Sequence, residues 1–192
     1  MTTLLDKVVA IEAALSTADT PHAFGGAIAL GFHVAEPRGT ADIDVNLFVP
    51  DDRAEAIFRQ LPPEIAWTDK DLHEVETTGQ VRLFWDDTPV DVFFSTHPFH
   101  QHAATRVERV PFGGTTIPVL GATELAVFKG FFDRTKDWAD IEAMIDAGTI
   151  DMHAALGWLV DLLGGDDHRV DRLRRLLDRE PPTSEPRFAP AS

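Results

Sequence analysis

Cysteine is absent from all 192 residues, which excludes disulfides and thiolate metal sites. Lysine is scarce: Lys7, Lys70, Lys129 and Lys136 are the whole set. With 17 Lys+Arg against 32 Asp+Glu, the formal net charge is −15. Binding along a phosphate backbone draws on a surplus of Lys and Arg, and this chain has none. A nucleic-acid substrate would have to sit over a small local basic patch. The acidity equally suits a basic partner or a metal-chelated small molecule. No apolar run approaches the roughly 20 residues of a membrane span, so no membrane partner is expected. The stretch from Met1 to Val9 lacks the basic start and apolar centre of a signal peptide, which makes the cytoplasm the expected location. There are no internal repeats. The one glycine pair upstream, Gly25-Gly26, is followed by no Gly-Lys-Ser/Thr, so it is not a Walker loop. Gly26 and Gly31 also lack GxGxxG spacing.

What remains is an ordinary globular composition, 44% hydrophobic and 26% charged. Leu4, Leu5, Val8, Val9, Ile11, Ala14 and Leu15 recur at helical spacing. Ala23-Phe24 reads as a short strand running into Gly25-Gly26, and Ala27 to His33 as a helix. Glu36 to Gly39 is a loop punctuated by Pro and Gly. Ile43 to Val49 reads as a strand, followed by a helix from Arg53 to Gln60 that Asp52 could cap. Val81–Trp85 and Val90–Phe94 flank a turn at Asp86-Asp87, and Val107–Phe112 and Thr115–Val119 flank Gly113-Gly114, so both pairs read as hairpins. From Ala122 the pattern is helical: Ala122 to Phe132, Trp138 to Ile145, Met152 to Leu163 and Val170 to Leu177. This predicts an α+β domain over residues 1–121, with mixed strands and flanking helices, and a helical region over 122–180. Residues 181–192, with four prolines, are expected to be a disordered tail.

Three carboxylates stand out. A strand repeats its facing every two residues, so Asp42 and Asp44 point to one side while Ile43 and Val45 point to a core. Two acids facing one way repel unless a cation lies between them, and magnesium is the natural cation for hard oxygen ligands. Asp91, within Pro89-Val90-Asp91-Val92-Phe93-Phe94, is an acid inside an apolar strand. If that strand neighbours the first, three carboxylates gather, enough to clamp two magnesium ions roughly 3.5–4 Å apart. The same alternation also describes a plain solvent-facing strand, so Asp-x-Asp alone does not single out a metal. Gly25-Gly26 before a helix can expose amides to a phosphate or simply form a turn.

Taken together, His22-Ala23-Phe24-Gly25-Gly26-Ala27-Ile28-Ala29-Leu30 and Glu36-Pro37-Arg38-Gly39-Thr40-Ala41-Asp42-Ile43-Asp44-Val45 resemble the nucleotidyltransferase (polymerase-beta-like) superfamily. Within it they resemble the AbiEii-type toxins of bacterial toxin–antitoxin systems, including the MenT group. Glu124-Leu125-Ala126-Val127-Phe128-Lys129 and Arg134-Thr135-Lys136-Asp137-Trp138-Ala139-Asp140-Ile141 are similar to that group's lysine helix and its Lys/Arg-Asp-x-x-Asp-Ile element. The resemblance spans roughly residues 20–145. It implies a nucleotidyltransferase-like mixed sheet whose helical C-terminal region completes the active site. It implies that Gly25, Gly26 and Thr40 hold an NTP's triphosphate. Asp42 and Asp44 would bind magnesium, and Asp91 would complete the metal site and help activate an acceptor hydroxyl. Lys129 would contact phosphate, Asp137 would stand in the outer part of the site, and Arg38 and Lys136 would supply local positive charge. The implied reaction is attack on the α-phosphate with pyrophosphate leaving. The implied acceptor is a tRNA 3′ end and the implied partner a cognate antitoxin protein. A small-molecule nucleotidyltransferase of the aminoglycoside or lincosamide type and a degenerate, non-catalytic binding protein are the alternatives. Many superfamily members carry Gly-Ser where this chain has Gly-Gly.

From the residues alone, Lys129 also fits a lysine that snorkels from an apolar helix face. Lys136 and Asp137 fit an ordinary first helical turn. His97-x-x-His100-x-His102 has the residue types of a zinc site, but with Pro98 directly after a strand it reads as a polar loop. His22 and His33 read as packing or surface residues. Ser95 and Thr96 lack a nucleophile-elbow setting. Arg172, Arg174 and Arg175 read as a solvated helix face able to touch RNA or an antitoxin.

Overall fold

The structure is a computed structural model that describes residues 2–36 and 38–178. The expected tail, 181–192, lies outside the described residues. Seven strands form one mixed sheet: β1 (His22–Phe24), β2 (Ile43–Leu47), β3 (Ile65–Ala66), β4 (Gln80–Trp85), β5 (Thr88–Phe93), β6 (Glu108–Phe112) and β7 (Thr115–Val119). Their order across the sheet is β3-β4-β5-β2-β1-β7-β6. The two predicted hairpins, β4–β5 and β6–β7, are antiparallel neighbours, whereas β2–β5 and β1–β7 pair in parallel.

Period-two alternation gives the sheet two unlike faces. Ile43, Val45, Val81, Leu83, Trp85, Val90 and Val92 are buried on one face. Helices α1 (Leu4–Thr17), α3 (Ala54–Phe58) and α4 (Asp69–Thr78) add Val8, Ile11, Leu15, Ile57, Phe58 and Val75 to the same hydrophobic cluster. The opposite face carries Asp44, Asp91, Arg82 and Phe93. Each apolar side chain fully buried here contributes about 1.5–3 kcal/mol, which fixes the strand register and therefore which residues point the other way. Helix α2 (Gly26–Leu30) follows β1. Helices α6 (Ala122–Phe132), α7 (Thr135–Asp146), α8 (Met152–Leu163) and α9 (His168–Leu177) close the described chain. Their buried Leu125, Trp138, Ile141, Met144, Leu159 and Leu173 belong to the same cluster as the sheet.

Several sequence expectations need correction. β2 starts at Ile43 and stops at Leu47, so Asp42 precedes the strand rather than lying within it. Asp52 caps nothing: it sits in a 3-10 turn, Asp51–Arg53, without a side-chain capping bond. The expected helix from Ala27 to His33 is only Gly26–Leu30, because residues 31–33 close it as a turn. The His97–His102 stretch is not a loop but helix α5 (Pro98–Ala104). Pro98 is at its first turn, where a missing N–H costs nothing, and His97 Nδ1 accepts from Phe99 N at 3.1 Å. Helix α4 and strand β3 were not foreseen. α4 has a reciprocal cap in which Asp71 accepts from Thr68 N at 2.7 Å, a signature readable in Thr68-Asp69-Lys70-Asp71. Among the described residues, no helix is long and apolar enough to cross a membrane.

Candidate active site

Parallel pairing of β2 with β5 sets Ile43 opposite Val90, Asp44 opposite Asp91 and Val45 opposite Val92. The same apolar residues that seat the two strands on the core therefore place two carboxylates side by side on the other face. Asp42 lies two residues before Asp44 and, like it, is half-buried. Asp44 and Asp91 are thus neighbours, and Asp42 lies near enough for its charge to act on Asp44.

Their partners differ, and the difference organises the site. Asp42 is held by Thr40, whose hydroxyl donates to Asp42 Oδ1. Burial raises the Asp42 carboxyl, but the Thr40 bond and the charges of Lys136 and Arg38 outweigh it and hold the group below its ordinary value. Asp91 faces Arg82 directly across the β4–β5 pair. Arg82 Nε and Nη2 donate to its two oxygens at 2.7 Å each, a planar fork matched to a carboxylate. Asp44 takes part in no ion pair among the described residues. Burial, then the charges of Asp42 and Asp91, raise its pKa to about 6, against the opposing pull of Lys129 and Arg134. A half-buried acid between two others and without a partner of its own is the locus that a cation would relieve.

The glycine turn lies against this acid. Gly25 N–H donates to the Asp44 carbonyl at 2.9 Å, so the Gly25 amide is spent on β2. Gly26 has φ +53°, and a Cβ there would lie 1.7 Å from Asp44 Oδ2. Both facts require glycine. Gly26→Ala is expected to lose at least about 2 kcal/mol, from left-handed strain plus the collision, read by thermal unfolding. Gly39→Ala, where no atom lies within 4 Å of the added carbon, is expected to leave the midpoint unchanged.

A second tier of charge sits on α6 and α7. Lys129 is 3% exposed and does not snorkel. Its Nζ donates to Asp140 at 2.6 Å and lies 3.7 Å from Asp137. Arg38 Nε and Nη2 donate to the two Asp140 oxygens at 3.1 Å, so the loop before Asp42 is tied to α7. Asp137, fully buried, accepts from Arg134 Nε at 2.6 Å. Arg134 also borders the cleft beside Asp91 and that beside Asp44. Lys136 is exposed, with its charge acting on Asp42.

The expected residues Gly25, Gly26, Arg38, Thr40, Asp42, Asp44, Asp91, Lys129, Lys136 and Asp137 thus fall in one region. Sequence reasoning gave no role to Arg82, Arg134 or Asp140. Arg82 alternates with Val81 and Leu83 and could have been found by pairing the β4–β5 hairpin across its turn. Arg134 and Asp140 stood within the quoted motif. His97, His100 and His102 do not form a metal cluster; His102 Nε2 contacts Glu124 Oε1 at 3.1 Å. Arg172 stacks over Trp138 at 4.4 Å, and Arg174 donates to Asp171 at 2.8 Å. His22 and His33 are buried, bonded to Glu12 and to the Leu120 carbonyl.

A hard divalent cation suits this donor set, which is carboxylate oxygen only and has an unpartnered acid at its centre. Among the described residues no three His, Asp or Glu side chains already converge as a ready-made cage; Thr40 and Arg82 hold the flanking acids.

No protein-family profile matches the chain, and no curated protein does. Solved structures share its fold. A nucleotidyltransferase-like protein from Paracoccidioides brasiliensis superposes with a TM-score of 0.51 at 15% identity, covering 89% of this chain and 86% of that one. ANT(2'')-Ia, in complex with adenylyl-2''-tobramycin, superposes with a TM-score of 0.50 at 15% identity, over 91% and 97%. The chain therefore has a nucleotidyltransferase-like α+β fold.

Proposed function

We propose that the protein is a magnesium-dependent nucleotidyltransferase that moves a nucleoside monophosphate from an NTP to an acceptor hydroxyl. The carrying observation is the β2–β5 register, which sets Asp44 beside Asp91, with the charge of Asp42 acting on Asp44 and the Gly25-Gly26 turn against Asp44. Asp42 and Asp44 would hold the metal, with Asp91 completing the set. When bound, magnesium supplies charge neutralisation and orientation of the phosphates. Thr40 would orient Asp42. Gly26 would leave room for the triphosphate by having no side chain. A helix of five residues carries too little dipole to bind phosphate alone, so the cationic side chains Arg134, Lys129, Arg38 and Lys136 would supply the remaining attraction. Asp91 is tied to Arg82 through both oxygens, yet each oxygen keeps another lone pair, and one can receive the proton of an attacking hydroxyl. Catalysis would be positioning plus charge stabilisation.

For the acceptor, a tRNA 3′ end, with the protein as toxin and an antitoxin as partner, remains the reading that the motif resemblance favours. A small-molecule acceptor is favoured by a specific observation. The net charge is −15, and Arg38, Lys129 and Arg134 are each already paired with an acid, leaving little to grip an RNA backbone. The test is to incubate α-labelled NTPs and magnesium with total tRNA or with a panel of hydroxylated small molecules, including aminoglycosides. Label on tRNA supports the first acceptor and label on a small molecule the second. Absence of both label and pyrophosphate with all four NTPs sinks the enzyme reading.

A further inference from the structure

Beside the carboxylates lies a cavity of about 320 Å³ that the site as described does not use. Gln80, Phe93 and Phe132 line both this cavity and the cleft around Asp91 and Arg82, so the two spaces adjoin. Its wall is aromatic: Phe93 at the end of β5, Phe99 from α5, and Phe128, Phe131 and Phe132 from α6. Not one Asp, Glu, Lys or Arg faces it. Of its two imidazoles, His100 is held below its ordinary value by burial, which outweighs the hydrogen bond to the His97 carbonyl. Ring contacts already run through the wall, with Phe93–Phe132 centroids at 5.6 Å and Phe99–Phe128 at 5.0 Å.

Volume and wall chemistry define a ligand. A space near the lower end of the roughly 300–1,000 Å³ range of small-molecule sites holds one ring system, not a polycation or a whole oligonucleotide. Phenylalanine faces and edges favour a flat ring by offset or edge contacts. A cationic group would find no carboxylate there and would lose its hydration for nothing.

Position defines which reactant. Across the sheet the order is β4-β5-β2-β1. The Gly25-Gly26 turn, against which the triphosphate would lie, follows β1. The cavity adjoins the Asp91 cleft through Gln80, Phe93 and Phe132 and the Asp44 cleft through Phe93, Phe128 and Phe132, and its Thr78, Gly79 and Gln80 place it on the β4–β5 side of both. In-line substitution at phosphorus needs the attacking oxygen opposite the departing one, so the space beyond Asp91 is on the attacking side.

We infer that this phenylalanine-walled cavity is an acceptor subsite taking an uncharged, flat ring carried next to the reacting hydroxyl. The inference rests on the transfer reading above. In the step, the acceptor oxygen forms a bond to the α-phosphorus and its proton passes to the Asp91 carboxylate. The bond from that phosphorus to the bridging oxygen breaks, and pyrophosphate leaves with the electron pair. The ring could belong to the terminal nucleoside of an RNA or to a small ring-bearing alcohol.

Ligand-observed NMR titration of the full chain tests the subsite without needing turnover. The probes are adenosine, 2-(1-naphthyl)ethanol, glycerol and a polyamino alcohol. The two ring alcohols are expected to half-saturate at concentrations at least tenfold below the other two. Leu162→Trp on α8 and Thr96→Trp after β5 each fill the cavity from a separate wall and lie outside the charged cluster. Each is expected to weaken ring binding at least tenfold while leaving thermal unfolding and magnesium binding unchanged. Ring probes that bind no better than glycerol, or that persist in both folded variants, overturn the inference. Displacement of the probe by saturating Mg–NTP also overturns it, because the cavity then holds the nucleobase. Transfer of label to adenosine but not to the naphthyl alcohol assigns the ring to a nucleoside source, and the reverse to a small alcohol. Ring binding that resists NTP, with no transfer to any acceptor, removes the nucleotidyltransferase reading and the acceptor role with it, while the ring preference stands as measured.

Discussion

On the proposed transfer chemistry, Asp44→Asn is expected to lower nucleotidyl transfer at least about 1,000-fold, because Asp44 would be the central ligand of the metal, and yet to make the metal-free protein more stable. The sign follows from the raised pKa. The Asp44 carboxyl is ordinarily near 3.8 and is pushed up to about 6 by burial and by the charges of Asp42 and Asp91. A carboxyl raised on folding favours its protonated form. Its stabilising contribution is complete below the unfolded value and is lost as pH rises through the folded one. Above pH 6 the wild-type chain carries that charge in both states and bears the penalty of holding it in the fold. A shift of about two units, at 1.36 kcal/mol each, bounds the effect at about 1–3 kcal/mol. Removing the charge should therefore raise the unfolding midpoint by about 2–10 °C at pH 8 for a chain of this size, fading to nothing near pH 4. Magnesium should stabilise the wild type at pH 8 and not the variant, because only the wild type offers the central oxygen pair. Thermal unfolding at pH 4 and 8, with and without magnesium, reads all of this. A variant less stable than wild type at pH 8 without metal would show Asp44 to be an ordinary structural acid.

The sheet face bearing Asp44 was legible because two independent patterns agreed. Ile43/Val45 and Val90/Val92 each announced a buried strand face, and an acid interrupted each in step. Sequence alone could not pair the two strands, since parallel neighbours are not adjacent in the chain and no hairpin turn fixes their register. The hairpins, by contrast, were readable from Asp86-Asp87 and Gly113-Gly114. α5 was missed because Pro98 looked like a helix breaker, whereas at the first turn its fixed φ favours a helix. α4 was overlooked because its residues are mostly polar, with Val75 alone fully buried, so no apolar stripe marks it. The second tier of charge was legible only as residue types. Lys129 and Asp140 are 11 residues apart on different helices, and nothing local says that Nζ and Oδ2 will meet at 2.6 Å. A far greater distance in sequence hid Arg38, which reaches Asp140 across 102 residues. Non-local ion pairs depend on helix packing, and helix packing was the least specified part of the chain.

That hidden pair carries the largest expected effect on stability. Lys129→Met removes the cation buried against both Asp137 and Asp140 and leaves both acids in place. Removing one partner of a buried pair costs about 3–5 kcal/mol. Here Arg38 and Arg134 still reach the two acids from the more exposed side, so about 3 kcal/mol is the expected loss, a fall in midpoint of about 6–12 °C. The pH dependence should change with it. In the wild type, burial raises the Asp140 carboxyl, but the bonds from Arg38 and Lys129 outweigh it and hold the group below its ordinary value. A carboxyl depressed on folding stabilises above its unfolded value, and that stability is lost only as pH falls through the folded one, so the wild-type acid limb from this group lies below about pH 4. Without Lys129 only Arg38 opposes the burial, so the carboxyl is held down less and the acid limb from this group should shrink. Lys129→Met/Asp140→Leu removes the acid as well, and is expected to recover at least half of the lost stability, a coupling that the double-mutant cycle isolates. Activity then separates the two roles of Lys129. If the double variant recovers stability but stays inactive, while Asp140→Leu alone retains measurable transfer, the lysine touches the phosphate. If stability and activity return together, the lysine only neutralises the buried acid, and neither its ammonium nor the Asp140–Arg38 tie is needed for transfer.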